Sequence, residues 1–286
     1  MQEFITGDSV FMNAVMQRQT SDHLLLLVEG DDEVRILDNH LIKENVTILA
    51  LGGKPQVLKA AKFVDTTQLP GVIAVIDRDL DDFTGEASTY PSALVVTEGY
   101  DLVSDIVAVA DQTLRRVLRV HAHQAWSRVE QDTGADPLEA IYALALALIP
   151  FRLANQVGSF GLNMRDFPFS QIIDSDYSPK SLPDIFGVIV NRSPQKPTWA
   201  SFQPQFLDAE QKTRGKRVLC GGHDLIRAAA AVLIRAGGAG LGQPNLEKSL
   251  YAAVDCAIVA NLPLYQPLQT WAGKHARSAF DCTLAA

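Results

Sequence analysis

Between residues 23 and 97 the chain alternates short, unbroken apolar runs with stretches of helical spacing. The runs His23–Val28, Val46–Leu51, Gly71–Ile76 and Ala93–Thr97 predict four strands. They lack apolar–polar alternation, as expected of parallel strands buried on both faces. The intervening segments predict helices over Asp31–Lys43, with Val34, Leu37 and Leu41 on one face, and over Pro55–Val64 behind the turn Gly52-Gly53. Proline is tolerated in a first helical turn because its missing N–H has no partner there anyway. A long helix is expected over Asp101–Val120. Strand–helix alternation at this spacing implies an α/β fold with a mainly parallel, Rossmann-like four-stranded sheet and flanking helices.

Beyond about residue 120 the strand signals fade. Helices are expected at Pro137–Ile149, Leu182–Val190, Phe202–Lys212, Asp224–Arg235 and Leu246–Asn261, and the tail after Pro267 carries no clear pattern. The expected organisation is an N-terminal arm over 1–22, an α/β domain over 23–122 and a helical C-terminal domain over 123–286.

Composition narrows the class. With 286 residues, 47% of them hydrophobic, the chain can build one large core or two modest ones. A net charge of −8 means that the surface as a whole does not attract a polyanion, so any nucleic acid needs a local basic patch. Cys220, Cys256 and Cys282 are odd in number and far apart, with neither metal spacing nor a disulfide framework, which points to a reducing cytoplasm. The start, Met1-Gln2-Glu3-Phe4, lacks the regions of a signal peptide. Apolar stretches such as Ala143–Ile149 fall short of the roughly 20 residues needed to cross a bilayer, so no membrane association is expected.

The candidate chemistry lies at two strand ends. Glu29-Gly30-Asp31-Asp32 follows the first apolar run and Asp77-Arg78-Asp79 follows the third. In open α/β sheets the carboxyl ends of the strands are where ligands bind. The plainer reading of the first signature is helix capping, which suits Asp31 and Asp32; Asp-x-Asp also occurs in simple turns. Taken together, carboxylates converging at one sheet edge repel one another unless a cation is present, and oxygen ligands suit Mg²⁺ or Mn²⁺. That is the chemistry of metal-dependent work on phosphodiesters.

Positive charge is concentrated in two places. Lys212, Arg214, Lys216 and Arg217 form the densest basic run, readable as a solvated loop or as a nucleic-acid contact. Arg115, Arg116 and Arg119, with His121 and His123 beyond, form a second basic face. Lys54, at a glycine turn before a helix, is readable as an exposed turn residue or as a phosphate neutraliser. His223-Asp224 opens a late helix, where Asp224 suits an N-cap.

The order of these features resembles the DUF4435 family of Toprim-like proteins: Glu29-Gly30-Asp31-Asp32, Gly52-Gly53-Lys54, Asp77-Arg78-Asp79, Thr97 through Asp101, and Gly221-Gly222-His223-Asp224-Leu225. More distantly it is similar to the overcoming-lysogenization-defect nucleases. The resemblance implies a Toprim-like catalytic domain in which Glu29 is the general acid/base and Asp77 and Asp79 hold Mg²⁺ or Mn²⁺, with Glu29 also near the ion. It also implies the toxic effector nuclease of an anti-phage system of the PARIS kind, cleaving RNA (tRNA) or DNA, partnered by an ABC-type ATPase; such nucleases often dimerise. The chain departs from the pattern at Val103, where an acid is expected and Asp101 or Asp105 stands nearby, and at His223, where a lysine is expected. The alternative is a non-catalytic Toprim-like docking subunit of an ATPase complex. A phosphotransfer enzyme of the doubly wound class would need a Gly-rich loop where the acidic Glu29–Asp32 stands.

Overall fold

The computed structural model describes residues 21–282, together with Met12, Val15, Met16 and Arg18. The arm expected over 1–22 therefore lies almost wholly outside the described residues. The chain forms two compact units, residues 1–110 with 254–286, and residues 111–253.

The first unit is α/β. Its strands are β1 (Leu24–Val28), β2 (Val46–Ala50), β3 (Val72–Ile76) and β4 (Leu94–Val96), all parallel, in the order β2-β1-β3-β4. The four expected strands are present within one or two residues at each end. Helix α1 (Asp31–Leu37) continues as a 3-10 turn to His40, and α2 is Lys54–Thr67. Alternate strand residues, Leu25 and Leu27 of β1 with Ala74 and Ile76 of β3, pack with Val57, Ala61 and Val64 of α2. Leu24, Leu26 and Val28 point to the other face and are equally buried, which is why β1 reads as a continuous apolar run. A short helix α3 (Asp81–Thr84) and helix α4 (Leu102–Val109) complete this part.

The domain boundary differs from the expected 122/123. The helix expected over Asp101–Val120 breaks at Ala110, which has φ −143° and ψ 51°; α5 begins anew at Asp111 and reaches Thr133 with a kink at Ala122 (φ −149°, ψ 49°), just past the expected end at Val120. The C-terminal segment also returns to the first unit. After α12 (Cys256–Asn261) and α13 (Tyr265–Gly273) the tail lies beside the end of the 3-10 turn, where Leu41 bridges Phe280 and Ile42 N–H donates to Ala279 at 2.9 Å. Cys256 and Cys282 are joined there as a disulfide, which corrects the expectation of no disulfide; Cys220 is buried and takes no part in one. Their 26-residue separation gave no signal because the tail's return brings them together.

The second unit is helical: α5, α6 (Pro137–Leu146), α7 (Ile149–Gly158), α8 (Leu182–Arg192), α9 (Trp199–Thr213), α10 (Gly222–Arg235) and α11 (Gln243–Ala252). The helix expected over Leu246–Asn261 is thus two, because Asp255 caps α12 by accepting from Ile258 N–H at 2.9 Å. Pro137–Gly158 taken together is long and apolar enough to cross a membrane, longer than the sequence suggested, yet 56% of that stretch is buried within the protein. Phe151 of α7 packs against Trp199, Phe202 and Phe206 of α9, and Arg152 pairs with Asp224 at 2.7 Å. Those contacts belong to a core helix.

Candidate active site

The strand order reverses between β1 and β3, and ligands of open α/β sheets bind at that point beyond the carboxyl ends. Glu29 directly follows β1 and Asp77 directly follows β3. They meet: the Asp77 backbone N–H donates to Glu29 Oε1 at 2.9 Å. Asp77 Oδ1 in turn accepts from Leu102 N–H at 3.2 Å, at the start of α4. The turn after β2 closes on the same place, because Gly52 and Gly53 N–H both donate to the Glu29 carbonyl, at 3.0 and 2.8 Å. Their φ values of +80° and +120° are the reason for a glycine pair there.

Asp79 is held in the left-handed region, at φ +50°. Asp tolerates that conformation better than most residues. Its N–H donates to the Tyr100 carbonyl at 2.8 Å, and its Oδ2 accepts from Lys54 Nζ at 2.8 Å. Between the two aspartates, Arg78 is turned away: its N–H and Nε donate to Thr97, at 2.9 and 2.8 Å, and its guanidinium pairs with Asp82.

The electrostatics are those of crowded carboxylates. Burial pushes the Glu29 carboxyl up from 4.5 to about 7, with repulsion from Asp79 and Glu33 adding to it, while the Asp77 N–H and Lys54 pull the other way. Asp77 is raised well above the ordinary carboxylate range, first by burial and then by repulsion from Asp101, Glu33, Glu29 and Asp79. Both shifts have the same sign for stability. The folded pKa exceeds the unfolded one, so the associated stability is present at low pH and lost as pH rises through the folded value. For Glu29 the shift corresponds to about 3 kcal/mol as an upper bound, since the side chain is partly open to water. In metal-free buffer the melting temperature is expected to fall between pH 5 and pH 8. Glu29→Gln should flatten that fall and be the more stable chain at pH 8. A melting temperature that rises over this range in the wild type would contradict the assignment.

The structure separates the two candidates for a further acid. Asp101 belongs to the cluster: it is buried, caps α4 by accepting from Ser104 N–H at 2.7 Å, and is the strongest electrostatic neighbour of Asp77. Asp105 does a different job, its two oxygens accepting from Glu98 and Gly99 N–H at 3.1 and 2.6 Å to hold the loop after β4. Gly30 contributes backbone only, donating to Glu33 Oε2 at 2.8 Å. Glu33 itself was missed by the sequence reading, although its position four residues after Glu29 in the first turn of α1 was a usable signal. Asp81, almost fully buried and bonded to Tyr90 and Lys54, was missed too.

Lys54 is not the exposed turn residue that one reading of the sequence offered. Its ammonium donates to the Asp77 carbonyl at 2.6 Å and pairs with Asp79 and Asp81, with its side chain 14% exposed. Burial alone would lower its pKa, but the two aspartates more than offset that and hold it charged. The basic run is likewise laced with acids in the second unit: Lys212 with Asp208, Arg214 with Glu210, and Arg217 with Glu139 while lying 4.7 Å over the Tyr142 ring. Lys216 lies in the same run, in the turn before a 3-10 turn at Arg217–Leu219. His223 pairs with Glu247 at 2.6 Å, and Asp224 is no N-cap but a buried partner of Arg152. Arg116, Arg119 and His123, with Arg115 tied to Asp111 and Asp136, line a cavity of about 1030 Å³ in the second unit.

Glu29, Glu33, Asp77, Asp79 and Asp101 offer only oxygen, the donor set of a hard divalent cation. Among the described residues, no three of these carboxylates bring one oxygen each within 4.8 Å of one another. Mg²⁺ keeps several waters and needs only one or two carboxylates, so the residues fit that ion. No protein-family model matches the chain, and no curated protein matches it.

Proposed function

We propose that the carboxylate cluster at the ends of β1 and β3 is the active site of a metal-dependent nuclease. The observation that carries this reading is Asp77, a half-buried carboxylate pressed by four others at the sheet's carboxyl edge, an arrangement that is costly without a cation. Asp77, with one of Asp79 and Asp101, would hold Mg²⁺ or Mn²⁺ together with water, and the ion would supply charge stabilisation at a phosphodiester. Glu29, titrating near neutrality, is suited to take or give a proton at its carboxylate oxygens. Lys54 keeps Asp79 in place and holds the loop after β3 against α2. Perturbed carboxylates also occur in purely structural networks, so the reading rests on the cluster's position as well.

The motif order supports a more specific account: a Toprim-like effector of prokaryotic anti-phage defence, working in the cytoplasm with an ABC-type ATPase and cutting RNA (tRNA) or DNA. Arg116 and Arg119, on the cavity of the second unit, are better placed for backbone contact than the acid-laced run at 212–217. Two observations favour the second reading, a non-catalytic docking subunit: Asp79 is already paired with Lys54, and among the described residues the carboxylates do not converge three at a time.

The experiment is cleavage of a panel of tRNA, single-stranded RNA and DNA, in Mg²⁺, Mn²⁺ or EDTA, by the chain alone and with its ATPase. The nuclease reading expects cutting of one class, abolished by EDTA. Absence of cutting in every combination, with the complex intact, would leave the docking reading standing in its place.

A further inference from the structure

Three side chains outside the carboxylate cluster converge in the first unit from distant parts of the sequence. His40 ends the 3-10 turn after α1, Cys256 opens α12, and Cys282 lies in the tail. Their ligand atoms all fall within 4.8 Å of one another. His40 Nδ1 is 3.5 Å from Cys282 Sγ and 3.8 Å from Cys256 Sγ. In a tetrahedral zinc site, with Zn–S near 2.3 Å and Zn–N near 2.0–2.1 Å, the S···N edge is about 3.6 Å. The imidazole is therefore already at ligand distance from both sulfurs. A disulfide needs two sulfurs and gives no reason for a ring nitrogen aimed at both of them.

The surroundings hold this geometry. Asp281 N–H donates to the His40 carbonyl at 2.9 Å, which fixes the tail beside the 3-10 turn and brings Cys282 to the ring. The Tyr265 hydroxyl bonds the Cys282 carbonyl. Cys282 is buried, His40 half-buried and Cys256 exposed, so an ion can enter from solvent and keep an open fourth position for water.

We propose that His40, Cys256 and Cys282 form a Cys₂His site for a thiophilic divalent ion, zinc above all, when the two cysteines are reduced. The disulfide is the oxidised form of the same site. Two thiolates and neutral imidazole compensate the charge of one Zn²⁺. Oxidation by hydrogen peroxide forms the S–S bond: the thiolates give up two electrons, the O–O bond breaks, two protons are taken up, two waters leave and the ion is released. A site of this kind fits a reducing compartment, where a disulfide would not persist, and it ties the tail to α12 without one.

The test is a Co²⁺ titration of the whole chain after reduction and chelation. The expected result is the visible absorption of tetrahedral Co²⁺ with thiolate charge-transfer bands in the near ultraviolet, saturating at one equivalent and bleached by Zn²⁺. Cobalt on the carboxylates would show neither feature. Cys256→Ser changes an exposed side chain, and circular dichroism would confirm that it folds; it should lose the charge-transfer bands. His40→Ala should weaken binding by at least the 10–100-fold typical of losing an outer partner. Peroxide should bleach the signal with loss of two titratable thiols. The proposal fails if the reduced chain gives only an octahedral spectrum, if Cys256→Ser keeps the bands, or if the disulfide resists reduction at a glutathione poise.

Discussion

Glu29→Gln is expected to lower the rate of phosphodiester cleavage by about 10²–10⁴-fold, the usual contribution of a positioned general acid or base. The substitution keeps the side chain's size and its ability to accept from the Asp77 N–H through the amide oxygen. It removes the proton-transfer capacity of the carboxyl together with its negative charge. The loss should therefore fall on kcat, with substrate affinity and the circular dichroism spectrum unchanged. In the wild type the rate should bend with the titration of Glu29, at a pH below that of the metal-free carboxyl because the cation favours the carboxylate, and that bend should vanish from the residual activity of the variant. An unaltered rate in Glu29→Gln would remove this residue from the chemistry.

Lys54→Met should be the most destabilising single change at the site, by about 3–5 kcal/mol, because removing one partner of a buried ion pair leaves the other charge uncompensated. Lys54 neutralises Asp79 and Asp81 and also donates to the Asp77 carbonyl. Asp81 is the reason for the size of the effect, being only 2% exposed and left with Tyr90 alone among those partners. Glu29 and Asp77 lose a nearby positive charge at the same time. Denaturant unfolding measures the loss directly. Adding Asp81→Asn in the same chain should restore a good part of it, since the stranded charge is then gone. If Lys54→Met unfolds at the wild-type midpoint, the ion pairs contribute nothing and the description of the site as charge-balanced by Lys54 is wrong.

The strands were legible because burial on both faces leaves its mark locally. Leu24–Val28 has no polar residue to hide, and the first carboxylate after the run, Glu29, stands at the strand's end. The same holds for Ile76 and Asp77. What the sequence did not carry was any fact that depends on the return of distant segments. Lys54 reads as a turn residue until the loop after β3 is seen to fold over it. Asp101 and Asp105 were equal candidates on one helix face, and only the backbone of Glu98 and Gly99 separates them. Ala110 is neither glycine nor proline, so the break between α4 and α5 had no local marker. Cys256 and Cys282 were silent for the same reason, since their pairing depends on a tail whose pattern was illegible.

The most direct test of the central claim is a single comparison. The nucleic acid cut best in the panel is incubated with wild type and Asp77→Asn, each in Mg²⁺ and in EDTA. The nuclease account predicts cleavage by wild type in Mg²⁺ alone, with Asp77→Asn inactive but folded and no less stable than wild type at pH 8, since it sheds a half-buried, repelled charge. Cleavage by folded Asp77→Asn at the wild-type rate, or cleavage that survives EDTA, would contradict it.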